Sequence, residues 1–278
     1  LDVKQHQIDG LAWCLYHEVC VTPYTSCRGG IIADEMGLGK TILMLGCMQT
    51  MRRRNTLIVV PPILLGQWVN IIKKFLGITP FVYNSYHHSS RTAVSVYQLS
   101  CKPIVITTYG MLHAKPHHKL LSIRWSRIIF DEGHHMRNEV TKVTRGCSQL
   151  KSDVRWILTG TPINNTKHDL VSLCDILRIP HRDLACHFLR RTKEEVGIVL
   201  PPLHIENVHV DWQCEKEELT SRQIHAYFNF SKVNDSGEVQ DIIFRLRNQS
   251  FGALVRMRQM CILPTLLRDP IQRIQEET

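Results

Sequence analysis

The sequence predicts an α/β fold over residues 1–180, in which a parallel sheet is covered by helices on both faces. Short apolar runs alternate there with segments whose apolar residues recur at helical spacing. The runs at 56–62 and 103–109 are apolar almost throughout rather than at every second residue. Continuous apolar strands are typical of a parallel sheet buried between two layers of helices.

The composition is that of a soluble globular protein with an anionic partner. The chain has 278 residues, 44% of them apolar and 21% charged, with a formal net charge of +9. The basic excess favours nucleic acid, although without motifs a merely basic protein explains it as well. The 10 cysteines form no Cys-x-x-Cys pair, which favours reduced thiols in an intracellular protein. No apolar run approaches the roughly 20 residues that span a bilayer, so no membrane partner is expected.

The predicted elements follow one another as alternating helices and strands. A first helix covers residues 4–20, where the apolar residues from Ile8 to Val19 recur at helical spacing. A strand at 31–33 and a helix ending near Arg54 come next. The remaining elements are a strand at 56–62, a helix at 64–76, a strand at 80–83, an irregular segment at 84–102, strands at 103–109 and 127–132, a helix at 138–150, a strand at 154–162 and a helix at 167–177.

The character of the sequence changes after Pro180, and residues 181–278 are expected to form a helical extension. This part is too short for a second sheet domain. Residues 204–212 alternate like a strand, and residues 215–230 and 238–262 have helical spacing.

A glycine-containing turn follows the first strand, in the stretch Asp-Glu-Met-Gly-Leu-Gly-Lys-Thr at residues 34–41. Gly37 and Gly39 let the backbone turn its N–H groups inward, and the following helix adds partial positive charge. Lys40 would reach the terminal phosphates of a nucleotide, and Thr41 would hold magnesium. Asp34 stands where the general phosphate-loop pattern has glycine, so the loop alone is insufficient evidence.

Two carboxylates follow a later strand. Asp131 at such a strand end can hold magnesium, and Glu132 beside it can polarise a water for attack on the terminal phosphate. Alone, this pair is better explained as a strand-ending turn. Together with the phosphate loop and the Thr-Gly-Thr turn at 159–161, it predicts a ligand site at the carboxyl edge of the sheet.

The stretch at 34–41 resembles the nucleotide-binding loop of the Swi/Snf family of DNA-dependent ATPases, which are superfamily-two, helicase-like DNA translocases. In that family aspartate is the expected residue at position 34. The fold implied is a first RecA-like lobe. Further stretches resemble the family's motifs in the same order, at residues 5–13, 59–68, 106–110, 131–138, 158–165, 189–193 and 256–261.

The resemblance implies ATP and magnesium as cofactors and double-stranded DNA as a partner. Lys40, Asp131 and Glu132 would be catalytic, and Thr41 and Asp131 would be the metal ligands. Nucleotide contacts are expected from Gln7, Asp34, Met36, Gly37, Leu38, Gly39, Lys40 and Thr41. Contacts to DNA, or coupling between the DNA and nucleotide sites, are expected from Pro61, Gln67, Thr107, Thr108, His134, Thr159, Gly160 and Thr161.

Structural interpretations of these residues remain open. Gln7 could be a helix-surface glutamine, and His134 could be a structural histidine. Trp68 is more often a core residue than a stacking platform. Gln67, Thr107 and Thr108 could cap the following helices. The basic residues Arg190, Arg191, Lys193, Arg256 and Arg258 are either solvated charges or a surface for DNA or a second lobe.

Three departures from the family pattern shape the functional expectation. Gly133 replaces the usual alanine, His135 replaces a usual basic residue, and the stretch between Leu177 and Leu189 is short. No stretch matches the second RecA-like lobe, which supplies arginine fingers worth on the order of 10³–10⁵ in rate. The isolated chain is therefore expected to bind nucleotide weakly and turn over poorly.

The partner of such a half-motor would be a second lobe, in cis or in trans, acting on DNA, chromatin or other protein–DNA complexes in the nucleus. Two alternatives remain, a non-catalytic truncated module that binds DNA or a protein partner, and an RNA helicase. The form of residues 34–41 argues against an RNA helicase.

Overall fold

The computed structural model describes residues 4–20, 28–84, 94–112, 119–136, 141–163 and 168–199, with a few positions between 201 and 219. The chain divides into two compact units, Leu1–Pro201 and Pro202–Thr278. The first unit extends beyond the boundary near residue 180 that the sequence suggested, because a short strand at Phe188–Leu189 joins its sheet.

A seven-stranded parallel sheet forms the centre of the first unit, which confirms the predicted fold class. Its strand order is β3-β4-β2-β6-β8-β1-β9, and every pairing is parallel. A second sheet pairs β5 with β7. The strands are β1 Arg28–Ile32, β2 Thr56–Val60, β3 Phe81–Tyr83, β4 Ile104–Thr108, β5 Arg124–Trp125, β6 Arg127–Asp131, β7 Lys151–Ser152, β8 Val154–Leu158 and β9 Phe188–Leu189.

Helices cover both faces of the large sheet, as the continuous apolar strands predicted. One hydrophobic core lies under α1, α2 and α3, and the other lies under α4, α5 and α6. The helices are α1 Gln5–Val19, α2 Lys40–Thr50, α3 Leu65–Leu76, α4 Val96–Ser100, α5 Lys142–Gln149 and α6 His168–Leu177, with 3-10 turns at Pro62–Leu64, Tyr109–Leu112, Gly133–Met136 and His181–His187.

Two sequence-based assignments differ from the structure. Residues 84–102, expected to be irregular, contain α4, whose N-terminus is capped by reciprocal hydrogen bonds between Ser95 and Gln98. Five residues are too few to produce a periodic signal. The expected strand at 204–212 is wrong for residues 204–208, which have no regular secondary structure. The helix expected at 238–262 lies outside the described residues.

Helix α1 forms where expected, but it buries only part of the apolar set that predicted it. Ile8 and Val19 are 50% and 59% exposed, whereas Leu11 and Leu15 are partly buried and pack against the core. The fully buried residues of the helix are His6, Gly10, Cys14 and Glu18. A side chain at Gly10 would collide with Arg191, since a Cβ there would stand 2.7 Å from Nη2 of that residue.

A buried ion-pair cluster fixes the C-terminal end of α1 against the sheet. The Glu18 carboxylate is fully buried and receives N–H groups from Arg127 (Nε to Oε1 2.6 Å, Nη2 to Oε2 2.5 Å), Arg53 (3.2 Å) and Trp156 (2.9 Å). Burial raises the pKa of Glu18, but the hydrogen bonds and charge of Arg127 outweigh it, so the pKa is lowered overall.

No helix in the described parts of the chain is both long enough and apolar enough to cross a bilayer.

Candidate functional site

Three neighbouring strands of the large sheet end in line. Asp131, the last residue of β6, lies opposite Leu158 at the end of β8, and Leu158 lies opposite Ile32 at the end of β1. The residues that follow these strands therefore leave the sheet at one edge. This register confirms that the phosphate loop, the carboxylate pair and the Thr-Gly-Thr turn converge.

The loop between β1 and α2 has the backbone shape predicted for a phosphate cradle. Gly37 and Gly39 have φ angles of +91° and +88°, a left-handed conformation that glycine adopts without steric penalty. Helix α2 begins at Lys40, so its N-terminus points into the loop. Leu38 is buried, and its carbonyl lies 3.3 Å from the His6 ring. Met36 is largely exposed.

The Lys40 ammonium lies inside this loop, and its acceptors among the described residues are backbone carbonyls. Its Nζ donates to the Asp34 carbonyl at 2.8 Å and lies 3.5 Å from the Glu35 carbonyl. Burial lowers the pKa of Lys40, although the negative charges of Glu132, Asp34 and Asp131 oppose that effect. A half-buried cation held by neutral acceptors suits an anionic phosphate, so the loop fits the nucleotide that the sequence implies.

The Asp34 side chain supports the loop from outside the cradle. Its carboxylate is fully buried, and both oxygens are bound by the Arg191 guanidinium, with Nε at 3.0 Å from Oδ1 and Nη2 on Oδ2. Arg191 also donates to the His6 carbonyl. Glycine could not make this bidentate pair, which explains why aspartate stands at this position.

Residues 188–193, called the strap below, run alongside the end of β1 and the start of the loop. The Ala33 N–H donates to the Leu189 carbonyl at 2.6 Å, and the Glu35 N–H donates to the Arg191 carbonyl at 2.9 Å. Glu35 in turn accepts the Lys193 N–H at 2.8 Å and pairs with its ammonium at 3.1 Å. The strap thus continues the pairing of β9 with β1 into the phosphate loop.

The strap was missed by sequence reasoning, which left these basic residues as solvated charges or as a surface for DNA or a second lobe. In the structure Arg191 and Lys193 are paired with the loop, and Arg190 donates to the Ala33 carbonyl at 3.2 Å. The one available signal was the charge match between the two acidic residues at 34–35 and the three basic residues at 190–193. Arg256 and Arg258 lie outside the described residues.

Asp131 is held at both its side chain and its backbone. The Trp68 indole Nε1 donates to Oδ2 at 2.6 Å, and the Glu132 N–H donates to Oδ1 at 3.0 Å. The Tyr109 hydroxyl donates to the Asp131 carbonyl at 2.6 Å. Burial raises the pKa of Asp131, with the Trp68 hydrogen bond opposing the shift and the Glu132 charge adding to it. The core position expected for Trp68 is confirmed, since it is 1% exposed.

Glu132 has an unusual backbone and an incompletely satisfied carboxylate. Its φ angle is +52°, which a residue with a side chain rarely adopts and which marks local strain. His134 Nδ1 lies 3.0 Å from Glu132 Oε2. That oxygen is shielded from solvent, yet no donor among the described residues meets it in hydrogen-bonding alignment. An unsatisfied, shielded carboxylate oxygen fits a water or metal-bound ligand at this place.

The local packing explains why glycine stands at position 133. A Cβ at this position would stand 2.3 Å from Ile157 Cγ2 on the neighbouring strand. The alanine that the family pattern expects would therefore require Ile157 to move.

The Thr-Gly-Thr turn lies against the phosphate loop. Thr159 is fully buried, and its N–H donates to the Ile32 carbonyl at 3.1 Å. Its hydroxyl accepts the Thr161 N–H at 3.3 Å. A Cβ on Gly160 would stand 3.6 Å from Lys40 Nζ and 2.9 Å from Met36 Cγ. The turn is therefore in van der Waals contact with the loop that would hold the nucleotide.

Gln7 packs beside the loop. Its Oε1 accepts the Lys4 N–H at 3.1 Å, and its Nε2 lies 2.6 Å from where a Cβ on Gly39 would stand. A cavity of about 210 Å³ adjoins it, lined otherwise by residues of α1, α2 and α3. Gln7 therefore lies where it could contact a base next to the phosphate site, while it also caps α1. Both sequence interpretations remain compatible with this placement.

The residues expected to contact DNA divide into accessible and buried groups. Gln67, on the first turn of α3, and Thr161 are exposed, and His134 is partly exposed. Thr107 is fully buried in β4 and donates its hydroxyl to the Tyr83 carbonyl at 2.7 Å, so the structure leaves it no access to a DNA backbone. The other buried members are Pro61, Thr108 and Thr159.

A structural metal site is not found in the described ranges, where no three His, Cys, Asp or Glu side chains are grouped to bind an ion.

Comparison with known proteins agrees with this geometry. A family model described as SNF2-related domain matches residues 6–183. The DNA repair protein rad8 of Schizosaccharomyces pombe is 30% identical over 304 residues, which cover 86% of this chain and 27% of that protein. A probable global transactivator of Orgyia pseudotsugata multicapsid polyhedrosis virus is 28% identical, over 96% of this chain and 57% of its own length.

Solved structures show the same fold. The Sulfolobus solfataricus SWI2/SNF2 ATPase core in complex with dsDNA has a TM-score of 0.59 to this chain at 23% identity. The similarity covers 96% of this chain and 60% of that one. The same core domain solved on its own gives a TM-score of 0.56. The chain therefore spans only part of each of these similar proteins, and less than a third of the repair protein.

Proposed function

The chain belongs to the SNF2-related domain family, and from that premise we propose that it is the ATP-binding half of a motor that moves along double-stranded DNA. The observation that carries this proposal is the meeting of Lys40, Asp131 and Glu132 with the 159–161 turn at one sheet edge. A half-buried cation, two carboxylates and a helix N-terminus are groups that phosphoryl transfer from a nucleotide uses.

Each residue has a role that its position supports. Lys40 would exchange its carbonyl acceptors for phosphate oxygens. Thr41 and Asp131 would hold magnesium, which when bound neutralises charge on the phosphates. Glu132, whose side chain is 25% exposed, would accept a hydrogen bond from the attacking water through its carboxylate. The Asp34 side chain would support the loop through Arg191.

DNA would be contacted by the accessible polar residues Gln67, His134 and Thr161, without reading of base sequence. The net charge of +9 is consistent with a phosphate backbone as partner. Two similar proteins support this proposal, a relative that is a DNA repair protein and a structural neighbour in complex with dsDNA. We further propose a nuclear location, chromatin or other protein–DNA complexes as substrates, and a second RecA-like lobe, in cis or in trans, that completes the catalytic site.

Nucleotide binding tests the site directly. We expect Lys40→Ala to weaken binding of a fluorescent ATP analogue with magnesium about 10- to 100-fold, because a charge-assisted hydrogen bond contributes about 1.5–3 kcal/mol. Glu132→Gln, the matched control, should bind the analogue as the wild type does. Unchanged binding in Lys40→Ala would refute the ATP site.

Turnover tests the half-motor. The isolated chain should hydrolyse ATP poorly with or without double-stranded DNA, because the second lobe that supplies arginine fingers is not among its motifs. Robust DNA-stimulated turnover that Glu132→Gln abolishes would overturn this expectation. Stimulation by RNA instead of DNA would favour an RNA helicase. Nucleotide binding without turnover after a second lobe is added would favour a non-catalytic module.

A further inference from the structure

The Asp131 carboxylate is oriented by a side chain from a different layer of the fold. Trp68 lies on α3, on one face of the sheet, and is 1% exposed. Its indole Nε1 reaches Asp131 Oδ2 at 2.6 Å, at the end of β6. The two residues are 63 positions apart in the chain, so the contact exists only in the folded protein.

The other hydrogen bonds to Asp131 do not fix the plane of its carboxylate, so the bond from Trp68 has a separate effect. The Glu132 N–H binds Oδ1, and the Tyr109 hydroxyl binds the backbone carbonyl. The terminal torsion of an aspartate is broad, so one N–H on Oδ1 does not by itself fix the carboxylate plane. A second donor on Oδ2, from a ring that cannot move in the core, fixes it.

The hydrogen bond of Trp68 differs from those of the buried residues Trp125 and Trp156 in the position of its acceptor. Buried indole N–H groups usually find an acceptor. Trp125 uses the Leu120 carbonyl at 3.1 Å, and Trp156 uses Glu18, whose carboxylate is already paired with Arg127. The acceptor of Trp68 is a carboxylate at the candidate catalytic edge.

We propose that Trp68 is a positioning residue, whose indole N–H fixes the Asp131 carboxylate in the orientation that receives magnesium. This inference rests on the proposed function, since Asp131 binds magnesium only if the site takes a magnesium nucleotide. Partners of a metal ligand orient it, and their loss typically lowers metal affinity or activity on the order of 10- to 100-fold. Trp68 acts through Asp131 and does not touch the metal or the nucleotide.

The test measures the magnesium concentration that half-saturates binding of a fluorescent ATP analogue to the full 278-residue chain. Trp68→Phe should raise that concentration on the order of 10-fold. Binding of the analogue in EDTA should be unchanged, because Trp68 does not contact the nucleotide. Trp156→Phe is the matched control, since it also removes a buried indole from a carboxylate, and its magnesium dependence should equal that of the wild type.

A second variant separates positioning from packing. Benzothienylalanine at position 68 keeps the ring shape but replaces the N–H with sulfur, and it should reproduce the shift seen with Trp68→Phe even where the phenylalanine variant folds poorly. A wild-type magnesium dependence in this variant would overturn the inference. An equal shift in Trp156→Phe would also overturn it. Absence of magnesium-dependent binding in the wild type would instead refute the proposed function on which the inference rests.

Discussion

Strand β6 has a charged residue at each end, and the buried carboxylates at the two ends differ in whether they are paired with a cation. At the first residue, Arg127 pairs with Glu18, whose oxygens also receive N–H groups from Arg53 and Trp156. At the last residue, Asp131 has an indole and a backbone N–H but no ion-pair partner within the described residues. Burial alone would raise the pKa of both carboxyl groups. Arg127 reverses that effect at Glu18, whereas the pKa of Asp131 stays raised.

One end of β6 therefore stabilises the fold, and the other end belongs to the candidate site. A fully paired buried carboxylate holds elements together, because removing either partner leaves a charge without compensation. A buried carboxylate without a nearby positive charge is destabilised in its ionised form. A bound cation would stabilise that form. The two ends therefore respond differently to substitution.

The largest effect is expected at the paired end. Glu18→Gln should lower the free energy of unfolding by about 3–5 kcal/mol, because it leaves the Arg127 guanidinium buried without a counter-ion. Urea denaturation followed by circular dichroism measures this loss. A double substitution, Glu18→Met with Arg127→Met, should lose less than Glu18→Gln alone, since the fully buried Arg127 charge is removed together with its partner and the Arg53 side chain that remains is 18% exposed. A loss of unfolding free energy below about 1 kcal/mol in Glu18→Gln would contradict the inference that the buried ion-pair cluster around Glu18 stabilises the fold.

A smaller effect is expected for the Asp34–Arg191 pair, which supports the loop at the candidate site. A double-mutant cycle of Asp34→Asn and Arg191→Gln should give a coupling energy of about 1–3 kcal/mol, because the carboxylate is fully buried and bound at both oxygens. The exposed pair Arg124–Asp153, 2.7 Å apart, is the control and should couple by less than about 1 kcal/mol. Equal coupling in the two cycles would mean that the strap does not hold the loop.

The smallest effect is a change in the pH dependence of stability. The folded-state pKa of Glu18 lies below its ordinary value of 4.5, so its stabilising contribution is fully present above that pH. The contribution is lost as the pH falls through the lowered folded-state pKa. The stability difference between the wild type and Glu18→Gln should therefore narrow as the pH drops below 4.5. Unfolding free energies measured at several pH values should show this narrowing, and a constant difference would assign the effect to something other than Glu18 ionisation.

What the sequence could predict depended on how far apart the interacting residues lie. The strands, the phosphate loop and the carboxylate pair were recognisable because glycine spacing and apolar runs are local patterns. The bonds from Arg191 to Asp34 and from Trp68 to Asp131 join residues 157 and 63 positions apart, and no local pattern encodes such a pair. Helix α1 shows the same limit, since its buried residue Glu18 pairs with Arg127, which lies 109 positions away.

Short elements were missed for a related reason. Strand β9 has two residues and α4 has five, so neither gives a periodic signal. The role of Thr107 could not be read from its position in the sequence. A polar residue at a strand end can face a ligand or bind a neighbouring carbonyl, and Thr107 binds the Tyr83 carbonyl.

The strap also determines the order in which the site can be completed. The loop at 34–41 is synthesised before the residues that pair with Asp34 and Glu35, which lie at 191 and 193. During synthesis, which proceeds from the N-terminus, the loop emerges from the ribosome well before its supports. Until residue 191 has emerged, burial of Asp34 would leave its charge without the Arg191 partner. A truncated chain that ends at residue 183, the limit of the family match, would contain Gly37 and Gly39 and still lack the side chains of Arg191 and Lys193 that support the loop.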